Sequence, residues 1–205
     1  MPVSSRRHAI GTLAGAAFFA MAAIPAVAQN PQPQYGGTLT IAFASDTKTL
    51  DPSFSVNFSE RQPLYLLYNT LLALNPDLTM APELAERWET SADGKRLTLH
   101  LRRGVKFHDG TDFNAQAAKY NLDRRLDPAV ASPQRAQLAA IIATVDAPDA
   151  NTVVINMKQP SPSILGMLAQ REGFIASPAA IERHGKDFAT NPVGTGPFTF
   201  KEWTP

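Results

Sequence analysis

The stretch LTLHLRRGVKFHDGTDFNAQAAKYNLDR runs from Leu97 to Arg124. Its first half alternates. Leu97, Leu99 and Leu101 fall on one side and Thr98, His100 and Arg102 on the other, the period of a half-buried strand. Arg103-Gly104 breaks that strand, and Val105-Lys106-Phe107 is expected to resume it. His108-Asp109-Gly110 then reads as a turn, because Asp-Gly suits a tight reversal. The second half changes period. Asn114 is a good N-cap, Phe113 before it can pack on Ala118, and a helix is expected to run to about Leu126, where Asp127-Pro128 ends it. His108-Asp109 would be the seed of a catalytic or metal site only if partners gathered round it, and the turn chemistry accounts for the pair more simply.

The pattern extends outward on both sides. Trp88-Glu89-Thr90 and Leu97–Arg102 are expected to form a hairpin around Asp93-Gly94. Upstream, Thr38–Phe43 alternates after Gly36-Gly37 and reads as a strand. Ser45 to Asn57 reads as a loop, with Asp51 biased away from helix by Pro52. Leu64, Leu67, Tyr68, Leu71 and Leu72 fall at helical spacing, so an amphipathic helix is expected over Glu60–Leu74 with Pro63 in its first turn, stopped by Asn75-Pro76-Asp77. Downstream, a short helix is expected over Gln134–Ile142, a turn over Ala147–Asn151, and a strand over Thr152–Met157 with Val153, Ile155 and Met157 on one face. Ser163–Ala169 reads as a helix, Ser177-Pro178 caps another through Gly185, and Phe198-Thr199-Phe200 opens a strand. No internal repeat is visible.

Composition fits a packed domain. Of 205 residues, 44% are hydrophobic and 18% charged, which argues against wholesale disorder, and the 17 prolines point to many turns and extended connections. There is no cysteine, so disulfides, thiol catalysis and thiolate metal sites are excluded. Residues 1–28 read as a cleavable signal peptide: a basic start at Arg6-Arg7, an uncharged run from Ala9, and a small-x-small end at Ala26-Val27-Ala28. Ser5-Arg6-Arg7 partly resembles a twin-arginine signal; Ala9 stands where Phe is usual there, which leaves the Sec route open. Gln29 stands where a lipoprotein needs cysteine, so a free periplasmic protein is expected. Cleavage would remove two arginines and no acidic residue, turning the formal charge from +1 to −1. Such balance gives no reason to expect nucleic acid as a partner.

The parts of a catalytic site are not visible. There is no G-x-S-x-G elbow, no H-E-x-x-H and no P-loop. His100, His108 and His184 are far apart with no ligand spacing. Gly194-Thr195-Gly196 is followed by Pro197 and an expected strand, which contradicts a nucleotide loop. Asp46, Asp51 and Glu60 cluster near one loop. They are the only basis for a reading from another class, a secreted hydrolase working through paired carboxylates, and capping and solvation explain them as well.

Several motifs in order then resemble one family. Pro82-Glu83-Leu84-Ala85-Glu86-Arg87-Trp88-Glu89, Asp93-Gly94, and LTLHLRRGVKFHDG with its helix are similar to the extracytoplasmic solute-binding proteins of family 5. That family comprises dipeptide, oligopeptide, glutathione and nickel binding proteins of ABC importers. Thr49-Leu50-Asp51-Pro52 and Pro192-Val193-Gly194-Thr195-Gly196-Pro197-Phe198 agree in order and spacing.

The resemblance implies an α/β fold: a periplasmic binding protein-like clamshell of the class with an inserted extra subdomain. It implies a first-lobe N-terminal part at 29–68, the inserted subdomain at 69–177, and a return into the first lobe at 178–205. Family members run to several hundred residues, so the second lobe is expected to be absent here. Such a piece offers a wall rather than a closed pocket and is expected to be unstable or aggregation-prone alone; a truncated product without binding function is the third reading. The resemblance further implies a monomer with no cofactor and no catalytic or metal site, binding a peptide or other small solute and delivering it to a membrane permease. Carried onto this chain, Ser55, Val56, Asn57 and Phe58 line the cleft. Arg171 sits where several relatives place a cleft arginine, and Arg135 is a second candidate. A guanidinium grips a carboxylate through two parallel hydrogen bonds, which suits peptides or glutathione. An exposed loop and solvated or Glu172-paired arginines are the plainer alternatives.

Overall fold

The alternation at Leu97, Leu99 and Leu101 does bury those side chains, and the sheet they belong to organises the chain. The computed structural model describes residues 36–43 and 45–204; the expected signal peptide lies outside them. Residues Gly36–Ile41 fall in an N-terminal unit, and a second unit begins at Ala42 and holds every helix and strand among the described residues. In chain order its elements are α1 (Phe58–Leu67), β1 (Leu72–Leu74), β2 (Met80–Pro82), β3 (Ala85–Thr90), β4 (Arg96–Leu101), α2 (Ala115–Leu126), α3 (Arg135–Ile141), β5 (Ile142–Asp149), β6 (Thr152–Met157), α4 (Ser163–Leu168), a 3-10 turn at Arg171–Gly173, α5 (Pro178–His184) and a 3-10 segment at Gly185–Thr190.

Four antiparallel strands pair in the order β3-β4-β6-β5, and β1-β2 form a separate hairpin. Helix α2 packs on β5 and β6. Its buried Ala115, Ala117 and Ala118 are small enough to bring the helix close to Val153, Ile155, Leu97 and Leu99 in one core. Each fully buried Leu, Ile or Val there contributes roughly 1.5–3 kcal/mol. As expected, Asn114 caps α2, its Oδ1 accepting from Ala117 N at 3.0 Å, and the β3-β4 hairpin turns at Asp93-Gly94. A second core joins α1 to α5 through Leu50, Leu64, Leu67, Tyr68, Phe174, Ile181 and Phe188. Ser177 caps α5 through its Oγ, which accepts from Ala180 N.

The sequence expectations fail where partners decide the outcome. Among the described residues there is no strand at Thr38–Phe43, and Leu39 is 83% exposed; alternation without a pairing edge does not make a strand. Helix α1 ends at Leu67, not Leu74, because Tyr68 turns extended. Thr70 then bridges Phe174, Leu71 N donates to Gly173 O, and Leu72 enters the β1-β2 hairpin. Pro63 lies inside α1 rather than in its first turn. Val105-Lys106-Phe107 forms only a bridge at Lys106–Asp112. Strand β5 runs through the expected turn at Ala147–Asn151 as far as Asp149. Phe198–Phe200 is not a strand; its Phe198 N–H goes to Leu66 O instead.

His108-Asp109 is a turn that works as a junction. Gly110 takes φ +83° there, a left-handed conformation that glycine adopts without strain. His108 Nε2 donates to Gly196 O at 2.8 Å, its Nδ1 accepts from Gly194 N at 3.4 Å, and its own N–H donates to Gly194 O. Asp109 Oδ2 accepts from Ser177 Oγ at 2.7 Å and Oδ1 from Thr111. Burial pushes the Asp109 carboxyl up, but the hydrogen bonds from Ser177 and Thr111 outweigh it and hold it below the ordinary value of 3.8. The returning segment is also zipped to the end of α1, with Gly196 N donating to Leu67 O. A Cβ at Gly194 would meet Leu67 O at 2.2 Å, and one at Gly196 would meet Leu66 O at 2.5 Å.

Two outcomes are expected. Gly194→Ala should lose ~1–3 kcal/mol through backbone overlap, whereas Gly166→Ala, whose Cβ meets nothing within 4 Å, should gain ~0.5–1 kcal/mol inside α4; urea denaturation reads both. Because the Asp109 carboxyl titrates lower when folded than when unfolded, its contribution is fully present above the ordinary carboxylate range and drains as pH falls through the folded value. Asp109→Asn should therefore flatten the fall of the urea midpoint below about pH 4.

Candidate ligand-facing surface

Residues 51–57 form a loop that enters α1 at Phe58; its backbone is held from beneath, and the apolar side chains of Phe54, Val56 and Phe58 face outward. Asp51 is buried and paired with Arg124 through two bonds, Nη1–Oδ1 at 3.0 Å and Nη2–Oδ2 at 2.7 Å. Arg124 Nη1 also reaches Ser53 Oγ at 2.9 Å, and Ser53 N donates to Asp51 Oδ1. Burial works against the Arg124 charge, but the bonds to Asp51 outweigh it and raise the guanidinium above its ordinary value. Neighbouring Arg125 is fully buried; its Nη1 donates to Asn121 O and its Nη2 to Phe174 O, while its Nε is buried without a partner. Burial lowers it to about 10, with Asp51 opposing the fall. Both arginines lie in the last turn of α2, where cations also complement the helix dipole.

Further along, Ser132 Oγ donates to Ser53 O at 2.7 Å, and Gln134 Nε2 donates to Pro52 O at 2.8 Å and Ser55 O at 3.3 Å. The far end of the loop is closed by Glu60, whose Oε2 accepts from Val56 N and Asn57 N at 2.9 and 3.1 Å. Burial raises the Glu60 carboxyl, and those amides bring it below its ordinary value. With its backbone thus fixed, the stretch exposes Phe54 (37%), Val56 (47%) and Phe58 (70%). The Arg124 guanidinium stacks over the Phe54 ring at 5.7 Å.

The expected site residues divide. Val56 and Asn57 are exposed on this loop and Phe58 at the start of α1, whereas the Ser55 side chain is buried and its carbonyl is held by Gln134. Arg171 joins the same wall: Nη1 donates to Val56 O at 3.2 Å and Nε to Glu172 Oε1 at 2.8 Å. Arg135 donates Nε–H to Leu126 O at 2.9 Å, one of the terminal carbonyls of α2. Asp51, a carboxylate of the hydrolase reading, has both oxygens taken by Arg124 and Ser53. Sequence reasoning missed Gln134, Ser132 and Arg124, whose roles depend on contacts more than 70 positions apart in the chain.

Similarity to known proteins places this pinned loop and the mixed helix-sheet domain that carries it in a family. Residues 79–205 match Bacterial extracellular solute-binding proteins, family 5 Middle, and the chain belongs to that family. It is 39% identical over 165 residues to the glutathione-binding protein GsiB of Escherichia coli (strain K12), covering 80% of this chain and 32% of that one. Against its counterpart in Salmonella choleraesuis (strain SC-B67) the identity is 38% over 183 residues, covering 89% and 34%. Among solved structures, the periplasmic binding protein AgaA in complex with agropinic acid, from A. tumefaciens R10, superposes with a TM-score of 0.72 at 34% identity, covering 78% of this chain and 32% of that one. The periplasmic oligopeptide-binding protein OppAIV from Borrelia burgdorferi gives 0.74 at 25% identity, covering 79% and 36%. The chain spans about a third of the length of the curated relatives it matches. The fold is accordingly that of the family 5 periplasmic binding proteins, over that third.

Removing one member of the buried pair leaves the other charge unpaired. Asp51→Asn should cost ~3–5 kcal/mol in urea denaturation, and Asp51→Leu with Arg124→Met should recover much of that loss.

Proposed function

We propose that this chain forms part of the solute-binding protein of an ABC importer. In this reading it captures a peptide or peptide-like solute (a dipeptide, an oligopeptide or glutathione) in the periplasm and delivers it to a membrane permease. The supporting observation is the stretch 51–58, pinned from beneath by Arg124, Ser132, Gln134, Glu60 and Arg171 yet exposing Phe54, Val56 and Phe58. A wall fixed before the ligand arrives loses less conformational entropy on binding. The names of the relatives, glutathione-binding and oligopeptide-binding, favour this solute class.

In this reading Val56, Asn57 and Phe58 touch the solute, and Ser55 contributes through its backbone. Arg171 offers the guanidinium hydrogens that Glu172 and Val56 leave unused. Arg135 acts at the end of α2 unless closure frees it. Residues 29–68 and 178–205 belong to the first lobe and 69–177 to the inserted subdomain. The signal peptide at 1–28 exports a monomer that performs no reaction on its solute and needs no cofactor.

The test is calorimetric titration of the chain extended to the relatives' length. The expected outcome is reversible binding of glutathione or short peptides, recovered unchanged, and at least tenfold weaker for Phe58→Asp. Turnover of the solute, or no binding across such a panel, would contradict the reading.

A further inference from the structure

Beside the loop lies a cleft of about 420 Å³ between α1, α3, α4 and the Arg171 turn. Its polar lining comes from Arg61, Gln137, Ser163, Gln170, Arg171 and the carboxylate of Glu172, and Met167 supplies an apolar floor. The two arginines differ in one respect. Arg171 is balanced by Glu172, a buried carboxylate 2.8 Å from its Nε. Arg61 has no ion pair among the described residues. Its Nη1 donates to the neutral Gln170 Oε1 at 3.0 Å, its Nε is buried without a hydrogen-bond partner, and its guanidinium lies 5.2 Å from the centre of the Phe58 ring. Arg125 shows that carbonyl oxygens alone can hold a buried guanidinium in this fold; Arg61 has only one neutral amide oxygen and a ring face, so an entering anion would supply the acceptors it lacks. With Arg61, Arg171 and Glu172 in its lining, the cleft is one positive charge in excess, and the Nη2 groups of both arginines have no hydrogen-bond partner among the described residues. Gly166 keeps one side open, since a Cβ there would meet nothing within 4 Å.

We infer that this cleft is an anion pocket that takes an organic carboxylate, with Arg61 as its principal donor. All the lining residues named belong to this chain. Its identification as a pocket stands on Arg61 alone, and only the claim that the carboxylate belongs to an imported solute rests on the receptor reading. An acidic side chain or a C-terminal carboxylate would enter between Arg61 and Arg171, and Gln137 and Ser163 would bond its remaining lone pairs.

The experiment titrates the full chain with glutarate and, as a neutral control of the same shape, glutaramide, following amide NMR shifts. Glutarate should move resonances around α1, α4 and the Arg171 turn, and glutaramide should not. Arg61→Gln should weaken glutarate at least tenfold, and Arg61→Lys should restore part of the loss by keeping the charge without the fork. Gly166→Leu fills the cleft from a position with free space, so it should block glutarate while circular dichroism stays unchanged, which separates loss of the pocket from loss of the fold. Equal responses to glutarate and glutaramide, or unchanged glutarate binding in both Arg61→Gln and Gly166→Leu, would overturn the inference. The two readings fail separately. If the extended chain binds peptides but Arg61→Gln leaves glutarate binding intact, only the pocket falls; if glutarate binds through Arg61 but no peptide or glutathione does, only the receptor reading falls.

Discussion

The bidentate pair between Arg124 and Asp51 is the contact on which the proposed ligand-facing surface depends. It joins the last turn of α2 to a loop more than 70 positions earlier in the chain, and it is almost fully buried. A buried ion pair is not in itself a strong source of stability, because desolvation offsets much of the attraction. Its value here is geometric. Two parallel bonds fix the direction of the Asp51 carboxylate, the carboxylate fixes Ser53 N, and Ser53 and Arg124 fix each other. The carbonyls of Pro52, Ser53, Ser55 and Val56 are taken up by Ser132, Gln134 and Arg171. With most of its inner backbone groups bonded, the loop and the start of α1 present Phe54, Val56, Asn57 and Phe58 to the outside, and the buried Ser55 hydroxyl is left without a partner.

This arrangement depends on the sheet in turn. Helix α2 can present Arg124 and Arg125 because its alanine face lies against β5 and β6. Arg125 is buried with Asn121 and Phe174 as partners, and Phe174 O is placed by the pairing of residues 69–71 with 173–175. The junction at His108 and Asp109 ties the same sheet module to Ser177 and to the Gly194–Gly196 segment. The motifs that carry the family resemblance are thus mostly structural: Asp109-Gly110 turns the chain, and Gly194 and Gly196 allow it to pass against α1. Glu83 behaves the same way, accepting from Asn69 Nδ2 and from both the backbone and the hydroxyl of Thr70.

Much of the fold was legible because its signals are local. The alternation at Leu97–Leu101 and Val153–Met157, the Asn114 cap and the Ser177-Pro178 cap each depend on neighbours within a few residues, and each formed as expected. Failures came where a distant partner decides. Leu71 and Leu72 satisfy a helical period, but backbone pairing with Gly173 and β2 draws them into extended structure. Strand β5 carries two register irregularities and a proline, which erase the alternation that would have revealed it. The site was legible only in outline. The family pattern named Val56, Phe58 and Arg171 as candidates, and their contact with a solute is a proposal; the structure leaves the first two exposed and bonds Arg171 to Val56 O. Arg61 and Gln134 look like ordinary surface residues in the sequence, and only the packing gives them a role.

If the Arg124–Asp51 pair and its neighbours hold the loop as described, the wall is fixed before any ligand or further chain segment arrives. Amide hydrogen exchange of the chain alone, read residue by residue, measures this. The amides of Ser53, Val56 and Asn57, bonded to Asp51 and Glu60, should be protected by at least tenfold relative to an unstructured peptide of the same sequence. Exchange of all three at the rate of an unstructured peptide would contradict a wall fixed in advance.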